Sequence, residues 1–216
     1  MSTVINIKNS VLSVLHDAKW RAIGESDIYK WIYEGECILA AHKPEATATN
    51  INFRCRSGTT QDLTRTEKKI VRVLSVHYAA NADKRKAIYL ARRDDISAIN
   101  PEWEFDQRSG LPSDFIYDED NPLVFSLYPS PSPGTTISFS ASIVPDEYGT
   151  ITEDTKTTVS PIYHPNLVDW AAHRCFLLDD SLPNAQAKAS VYLNRFVQST
   201  GIKLSGEIRT SAFKRD

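Results

Sequence analysis

No apolar stretch in this 216-residue chain approaches the ~20 residues a membrane-spanning helix requires, so no span is expected. Met1-Ser2-Thr3-Val4-Ile5-Asn6 lacks a basic segment followed by an apolar run, and no signal peptide is expected either. Cysteine is scarce. Cys37, Cys55 and Cys175 are odd in number and far apart, which argues against a disulfide framework and for a reducing cytoplasm. Neither sign of charge prevails. Lys and Arg total 25 and Asp and Glu 27, so the formal charge of −2 and pI near 6.2 give no global reason to bind nucleic acid or an anionic membrane. Catalytic signatures are missing too: GxSxG, GxGxxG and GxxxxGK before Ser or Thr do not occur, which removes hydrolase, dinucleotide and phosphate-loop readings.

What is present is ordinary globular material, 41% hydrophobic and 24% charged, long enough for one good core or a core with a smaller appended unit. Helical periodicity opens the chain. Ile7, Val11, Val14, Leu15 and Ala18 recur at three- and four-residue spacing, and Ile28, Trp31, Ile32, Gly35, Ile38 and Leu39 do so again. Ser26 or Asp27 is expected to cap the second helix, and Pro44 to stop it. Gly35 costs that helix about 1 kcal/mol relative to alanine, for which a close helix crossing is the simplest reason.

From Thr47 to Pro161 the character is β. Ile51-Asn52-Phe53, Ile70 to Val76 and Ala87 to Leu90 read as strands, Lys84-Arg85-Lys86 as a polar turn, and Arg92 to Ile99 as a short helix ending before Pro101. Asn121 to Pro145 reads as a hairpin around the corner Pro129-Ser130-Pro131-Ser132-Pro133-Gly134. Its second strand alternates Ile137, Phe139, Ala141 and Ile143 with Ser138, Ser140 and Ser142, one buried face and one wet face. Leu123 to Tyr128 is apolar enough for burial on both faces. The Thr-rich stretch from Asp146 to Thr158 reads as an exposed loop, or an arm that orders against a partner.

Helix returns after Pro165, with a stripe of Val168, Ala171, Cys175 and Leu178 broadened by Leu167, Trp170 and Leu177. A second helix presents Ala185, Ala189, Tyr192, Leu193 and Phe196, and Gly201 suits its left-handed end. So short a link predicts antiparallel packing. The tail from Ile202 is polar except for Ile208 and Phe213, and is expected to be disordered alone. The whole is an α+β chain: N- and C-terminal helical hairpins (residues 1–46 with 162–201) packed as a bundle, an inserted antiparallel β-sandwich or sheet unit (47–161), and an extended tail (202–216).

Candidate chemistry is thin. His164, His173 and Cys175 lie close in sequence, but without CxxC or HxxxH they do not make a metal set, and Cys175 falls on the buried stripe. Arg54 and Arg56 flank Cys55 and would activate its thiol, though an ordinary strand residue is the stronger reading. Asp118-Glu119-Asp120 lacks the glycine and terminal glutamate of a calcium loop. Glu34 and Glu36, two residues apart, point to different faces. Lys68-Lys69-Arg72 and Lys84-Arg85-Lys86 have the charge to touch phosphates, but read first as solvated strand ends. No enzyme, metal or cofactor is expected. A β-sandwich module binding a ligand or carbohydrate is the rival from another class, with Trp103, Tyr117 and Tyr128 as its stacking platform.

The order of motifs resembles the head-to-tail adaptors, or connectors, of tailed bacteriophages, of the tail tubular protein A type. The resemblance runs through Asp27-Ile28-Tyr29-Lys30-Trp31-Ile32-Tyr33-Glu34-Gly35, Lys43-Pro44 and Gly58-Thr59-Thr60-Gln61-Asp62-Leu63. It continues through Arg93-Asp94-Asp95-Ile96, Asn100-Pro101-Glu102-Trp103, Pro122 to Phe125 and Tyr128 to Pro131. It closes with Asp169-Trp170-Ala171-Ala172-His173-Arg174-Cys175 and the Ala-rich helix ending at Phe196. The Thr-rich loop and the tail from Gly206 to Asp216 depart from that pattern. The resemblance implies a structural virion protein at the head–tail junction, a ring of typically twelve copies between the portal and the tail nozzle or tube. DNA would pass through the centre without sequence-specific binding. Another neck or tail-completion protein would share these features. On this view Ile208, Arg209, Phe213, Lys214 and Arg215 are expected at a portal or subunit interface, and Pro129, Pro131, Pro133 and Gly134 at the next tail ring.

Overall fold

Apolar stripes from both ends of the chain meet in one core. The computed structural model describes residues 3–15, 23–64, 66–82, 84–106, 108–118, 120–178 and 184–202. It is mixed helix and sheet, and divides into a helical unit, Met1–Ala46 with Pro145–Asp216, and a β unit, Thr47–Val144.

The helical unit contains α1 (Val4–Val14), α2 (Glu25–His42), α4 (His164–Leu178) and α5 (Ala185–Thr200), while α3 (Arg93–Ile99) belongs to the β unit. Val4, Ile7 and Val11 of α1, Ile28, Ile32 and Leu39 of α2, Leu167, Trp170, Ala171 and Cys175 of α4, and Ala189 and Phe196 of α5 share one buried cluster. The cap of α2 differs from expectation. Gly24 is the N-cap, and Asp27 reaches back to accept its N–H at 3.3 Å, so the carboxylate serves from the third helical position. The crossing at Gly35 is tight as expected: a Cβ there would lie 3.0 Å from Trp170 Cδ1 and 3.1 Å from Leu167 Cδ2. Helices α4 and α5 run antiparallel, with Trp170 against Phe196, His173 Nδ1 on the Ala189 carbonyl and Phe176 stacked on Tyr192. Leu177 and Leu178 are exposed, because the buried face of α4 turns through Leu167, Trp170 and Phe176 instead. Gly201 ends α5 in the left-handed region, φ 68°.

The β unit holds two four-stranded sheets. The first has the order β1 (Ala48–Arg54), β10 (Thr136–Ile143), β3 (Ile70–Asn81), β4 (Lys84–Ala87), and is antiparallel throughout. The second has the order β2 (Thr60–Asp62), β8 (Val124–Tyr128), β7 (Asp114–Tyr117), β5 (Tyr89–Leu90), with a parallel β5–β7 pair. A parallel two-residue pair joins β6 (Ser109–Gly110) to β9 (Ser130–Pro131). Phe53, Ile137 and Phe139 from the first sheet meet Phe115, Phe125 and Leu127 from the second in one cluster. The other face of the second sheet is covered by α3 (Arg93–Ile99) and Trp103, through Ile96 and Ile116.

Three expectations need correction here. Asn121–Pro145 is not a hairpin: β8 and β10 lie in different sheets, and the Pro-rich corner carries the chain from one to the other. Lys84–Lys86 is strand rather than turn, extending the first sheet beyond β3. The serines of β10 do not all face water, since β10 is an interior strand; Ser142 is fully buried, its hydroxyl 2.9 Å from that of Thr47.

Candidate functional site

The corner between the sheets borders a cleft of about 490 Å³, lined on one side by Cys55 to Thr59 and on the other by Glu104 to Asp106 and Ser130 to Pro133. Its walls are held by backbone and amide hydrogen bonds. Gln61, fully buried, accepts the Arg56 N–H at 2.8 Å and donates to the carbonyls of Arg56 (3.1 Å) and Gly58 (2.8 Å). That clamp fixes a turn in which Gly58 has φ +96°, a conformation that disfavours side chains. Thr59 donates to the Glu104 carbonyl at 3.2 Å, joining the two walls. On the corner, Ser132 N–H donates to the Gly110 carbonyl at 2.9 Å, and Asn81 Nδ2 donates to the Ser132 hydroxyl at 3.0 Å.

Of the corner residues singled out from sequence, Pro131 is buried, Pro129 half-buried, and Pro133 and Gly134 exposed. Pro131 and Pro133 line the cleft. Pro129, whose peptide with Tyr128 is cis, packs beside Gly110. The corner is therefore a fixed surface feature with an accessible tip. Ile208, Arg209, Phe213, Lys214 and Arg215 lie outside the described residues.

The chemistry around the cleft is unreactive. Burial pushes the Cys55 thiol up to about 12, against any activation by Arg54 and Arg56. Asp106 is held down to about 2 by the Arg108 guanidinium, with further hydrogen bonds from the Arg108 N–H and Asn100 Nδ2, so it is a permanent anion. Among the described residues that line the cleft there is no imidazole, and its carboxylates, Glu104 and Asp106, are ion-paired with Arg93 and Arg108. Phe105 stands 85% exposed on the rim. This arrangement offers a shaped contact surface with a fixed charge and an aromatic.

The aromatics considered as a stacking platform do not converge on it. Trp103 is 1% exposed, donating its indole N–H to Ser97 and meeting Tyr128 edge-on, and Tyr117 stacks on Phe115 in the core. In the helical unit, His164 and His173 are buried and desolvation lowers both imidazoles, while Cys175 is pushed to about 12. His173 is occupied by the Ala189 carbonyl and His164 Nε2 by Thr157. Among the described residues no three His, Cys, Asp or Glu side chains could hold a metal ion, and no helix is long and apolar enough to cross a membrane.

One polar centre escaped the sequence reading. Glu36 is fully buried and accepts the Tyr148 hydroxyl at 2.5 Å, the Thr158 N–H at 2.8 Å and the Val159 N–H at 3.2 Å. Together with Val4 N–H donating to the Thr155 carbonyl, it ties the Thr-rich stretch to the chain's own helices, where an arm awaiting a partner had been an alternative. The signal was its position: Glu36 lies four residues after Ile32 and three before Leu39, on the apolar stripe.

A helical unit drawn from both chain ends and a β unit with a Pro-rich corner beside a cleft define a scaffold with surfaces suited to contact. A family model described as SU10 adaptor protein matches residues 2–213. The chain belongs to the SU10 adaptor protein family, and by that membership is a phage adaptor, a structural component of the virion that associates with other head–tail proteins. No curated protein matches it.

Proposed function

We propose that this adaptor forms an oligomeric ring, typically of twelve copies, between the portal and the tail tube or nozzle, in the manner of tail tubular protein A. DNA passes through its centre without sequence-specific binding. The observation that carries the reading is the family match over nearly the whole chain. The architecture supports it. In this proposal the four helices act as a bundle forming the ring wall, and the two sheets as a sandwich presented to the tail. The exposed tip of the corner, Pro133 and Gly134, with Pro129 and Pro131 behind it, contacts the next tail ring. Residues 202–216 dock on the portal or a neighbouring copy through Ile208 and Phe213, flanked by Arg209, Lys214 and Arg215. Ordering such a segment on assembly costs entropy that its contacts must exceed.

Negative-stain microscopy of the protein mixed with purified portal rings tests the class: coaxial stacked rings are expected, and a persistent monomer without portal attachment refutes it. Deletion after Gly201 tests the tail. Attachment of the truncated protein to portal-bearing heads at normal affinity would remove the docking role while leaving the ring intact.

A further inference from the structure

The net charge of −2 conceals a segregation within the β unit. The four strands of the first sheet carry five cations, Arg54, Arg72, Lys84, Arg85 and Lys86, and not one Asp or Glu. All five are exposed, and among the described residues none forms an ion pair.

Register shows which of them share a face, because directly opposed residues in a sheet point the same way. Ile137, Phe139 and Ala141 of β10 face the core, so Thr136, Ser138, Ser140 and Ser142 lie on the opposite face, Thr136 and Ser140 half-buried and Ser138 and Ser142 buried. Arg54 opposes Thr136, Thr136 opposes Ala80 and Ala80 opposes Arg85, which puts Arg54 and Arg85 at the two ends of one outward row. Three strand spacings separate them, about 14 Å. Arg72 opposes Ser142 on the same face, six residues along β10 from that row, or about 20 Å, a span in which β3 spends eight residues because two bulges interrupt the pairing. The Arg85 guanidinium sits 4.3 Å from the centre of the Tyr78 ring, which holds it over the face. Between the arginines lie short hydroxyl and amide side chains, tied by bonds from Ser140 to Asn50 and His77.

This composition is that of a phosphate-binding surface. Arg, Lys, Ser, Thr, Asn and Tyr supply most protein contacts to the DNA backbone, whereas protein interfaces centre on apolar and aromatic groups. Of the large apolar residues exposed in the β unit only Leu74 lies on these strands; Tyr89, Leu90, Ile99 and Phe105 lie elsewhere. We propose that the outward face of the first sheet binds the phosphate backbone of duplex DNA without reading its bases. The roughly 20 Å from the Arg54–Arg85 row to Arg72 matches about six base pairs at 3.4 Å per step along a strand. The inference does not rest on the ring: the contact belongs to one chain and is measurable in solution whether or not portal binding is seen.

The experiment is fluorescence anisotropy of full-length protein with a short labelled duplex across a salt series. Three to five neutralised phosphates give a log–log salt slope of about −3 to −4.5 for the wild type. The triple variant Arg54→Gln, Arg72→Gln, Arg85→Gln should lower the steepness by about 2.7 and the low-salt affinity by at least about tenfold, sequence notwithstanding. Its thermal midpoint should stay at the wild-type value, since all three side chains are exposed. No binding at the lowest salt overturns the proposal. So does a triple variant with wild-type slope and affinity, which would put the contact elsewhere, including the cations beyond Gly201. A face that instead takes an acidic protein would show as polyglutamate binding lost in the triple variant with duplex binding unchanged, and that result refutes DNA as the occupant.

Discussion

Replacing Glu36 by alanine removes the single acceptor that three donors share, the Tyr148 hydroxyl and the Thr158 and Val159 amides. Each buried donor left without a partner costs roughly 1–3 kcal/mol. Tyr148 and Thr158 are only half-buried and can recruit water, so the summed loss for the alanine variant is expected at about 3–5 kcal/mol, the range for breaking a buried charged cluster. Glutamine should behave differently. Its carbonyl still accepts both amides, its NH₂ meets a Tyr148 oxygen that can accept in turn, and the buried charge is gone. Glu36→Gln is therefore expected within about 1 kcal/mol of wild type, or more stable.

The pH dependence separates the two causes. Burial holds the Glu36 carboxyl above its ordinary 4.5 in the folded chain, so the folded state takes up this proton before the unfolded one. The stabilisation from protonating it is complete below 4.5 and is lost as pH rises through the folded value. The stability of wild type minus that of Glu36→Gln should therefore increase as pH falls from neutral toward 4.5. His164 and His173, whose lowered values act in the opposite sense, are common to both proteins and cancel in that difference. Denaturant unfolding read by tryptophan fluorescence, with limited proteolysis between Asp146 and Thr158, supplies the measurements. A Glu36→Ala protein within 1 kcal/mol of wild type, cleaved no faster in that stretch, would refute the reasoning; so would a flat pH difference.

Gly35→Ala should destabilise by about 1–3 kcal/mol, since contacts of 3.0 and 3.1 Å to Trp170 and Leu167 outweigh the ~1 kcal/mol gain in helix propensity; an unchanged or raised melting midpoint would contradict this. Cys55 and Cys175, both near 12, should resist alkylation in the native protein near neutral pH and react on unfolding; rapid native labelling of Cys55, read by mass spectrometry, would show the thiol to be activated. Gln61→Ala should cost about 2–3 kcal/mol and accelerate amide exchange at Arg56, because three hydrogen bonds of 2.8 to 3.1 Å are lost together. Unaltered exchange there would mean the turn holds itself.

Features set by neighbours in the chain were legible: the stop at Pro44, the left-handed Gly201 and the crossing demanded by Gly35 each follow from one residue's backbone or side-chain limits. Pairing was not. Ile137, Phe139 and Ala141 revealed a strand with a buried side, but alternation says nothing about which strand lies alongside. The short Pro-rich connection read as a hairpin because neighbouring strands usually pair. Here Ser130 and Pro131 pair with Ser109 and Gly110, and β10 inserts between β1 and β3, some 90 and 65 residues upstream by the Asn50 and Ser75 partners of Ser140. Ser142 looked wet for the same reason, its hydroxyl partner Thr47 being remote in sequence. Glu36 was misjudged by residue type, since a carboxylate on an apolar stripe is rarer than a solvated one. The cationic face was divided in the sequence, Arg54, Arg72 and Arg85 being brought together only by strand order.

The way the chain enters and leaves the β unit has a consequence for how such a protein can change. Entry is through β1 and exit through β10, and these are hydrogen-bonded neighbours with Ala48 opposite Ser142. The ends of the insert are thus about 5 Å apart, close enough for a single turn to bridge. A segment with adjacent antiparallel ends can be lengthened, exchanged or removed without asking the helices to move their own ends. The β unit is a cassette, and the specificity it carries for whatever it touches can be replaced while the helical unit is kept.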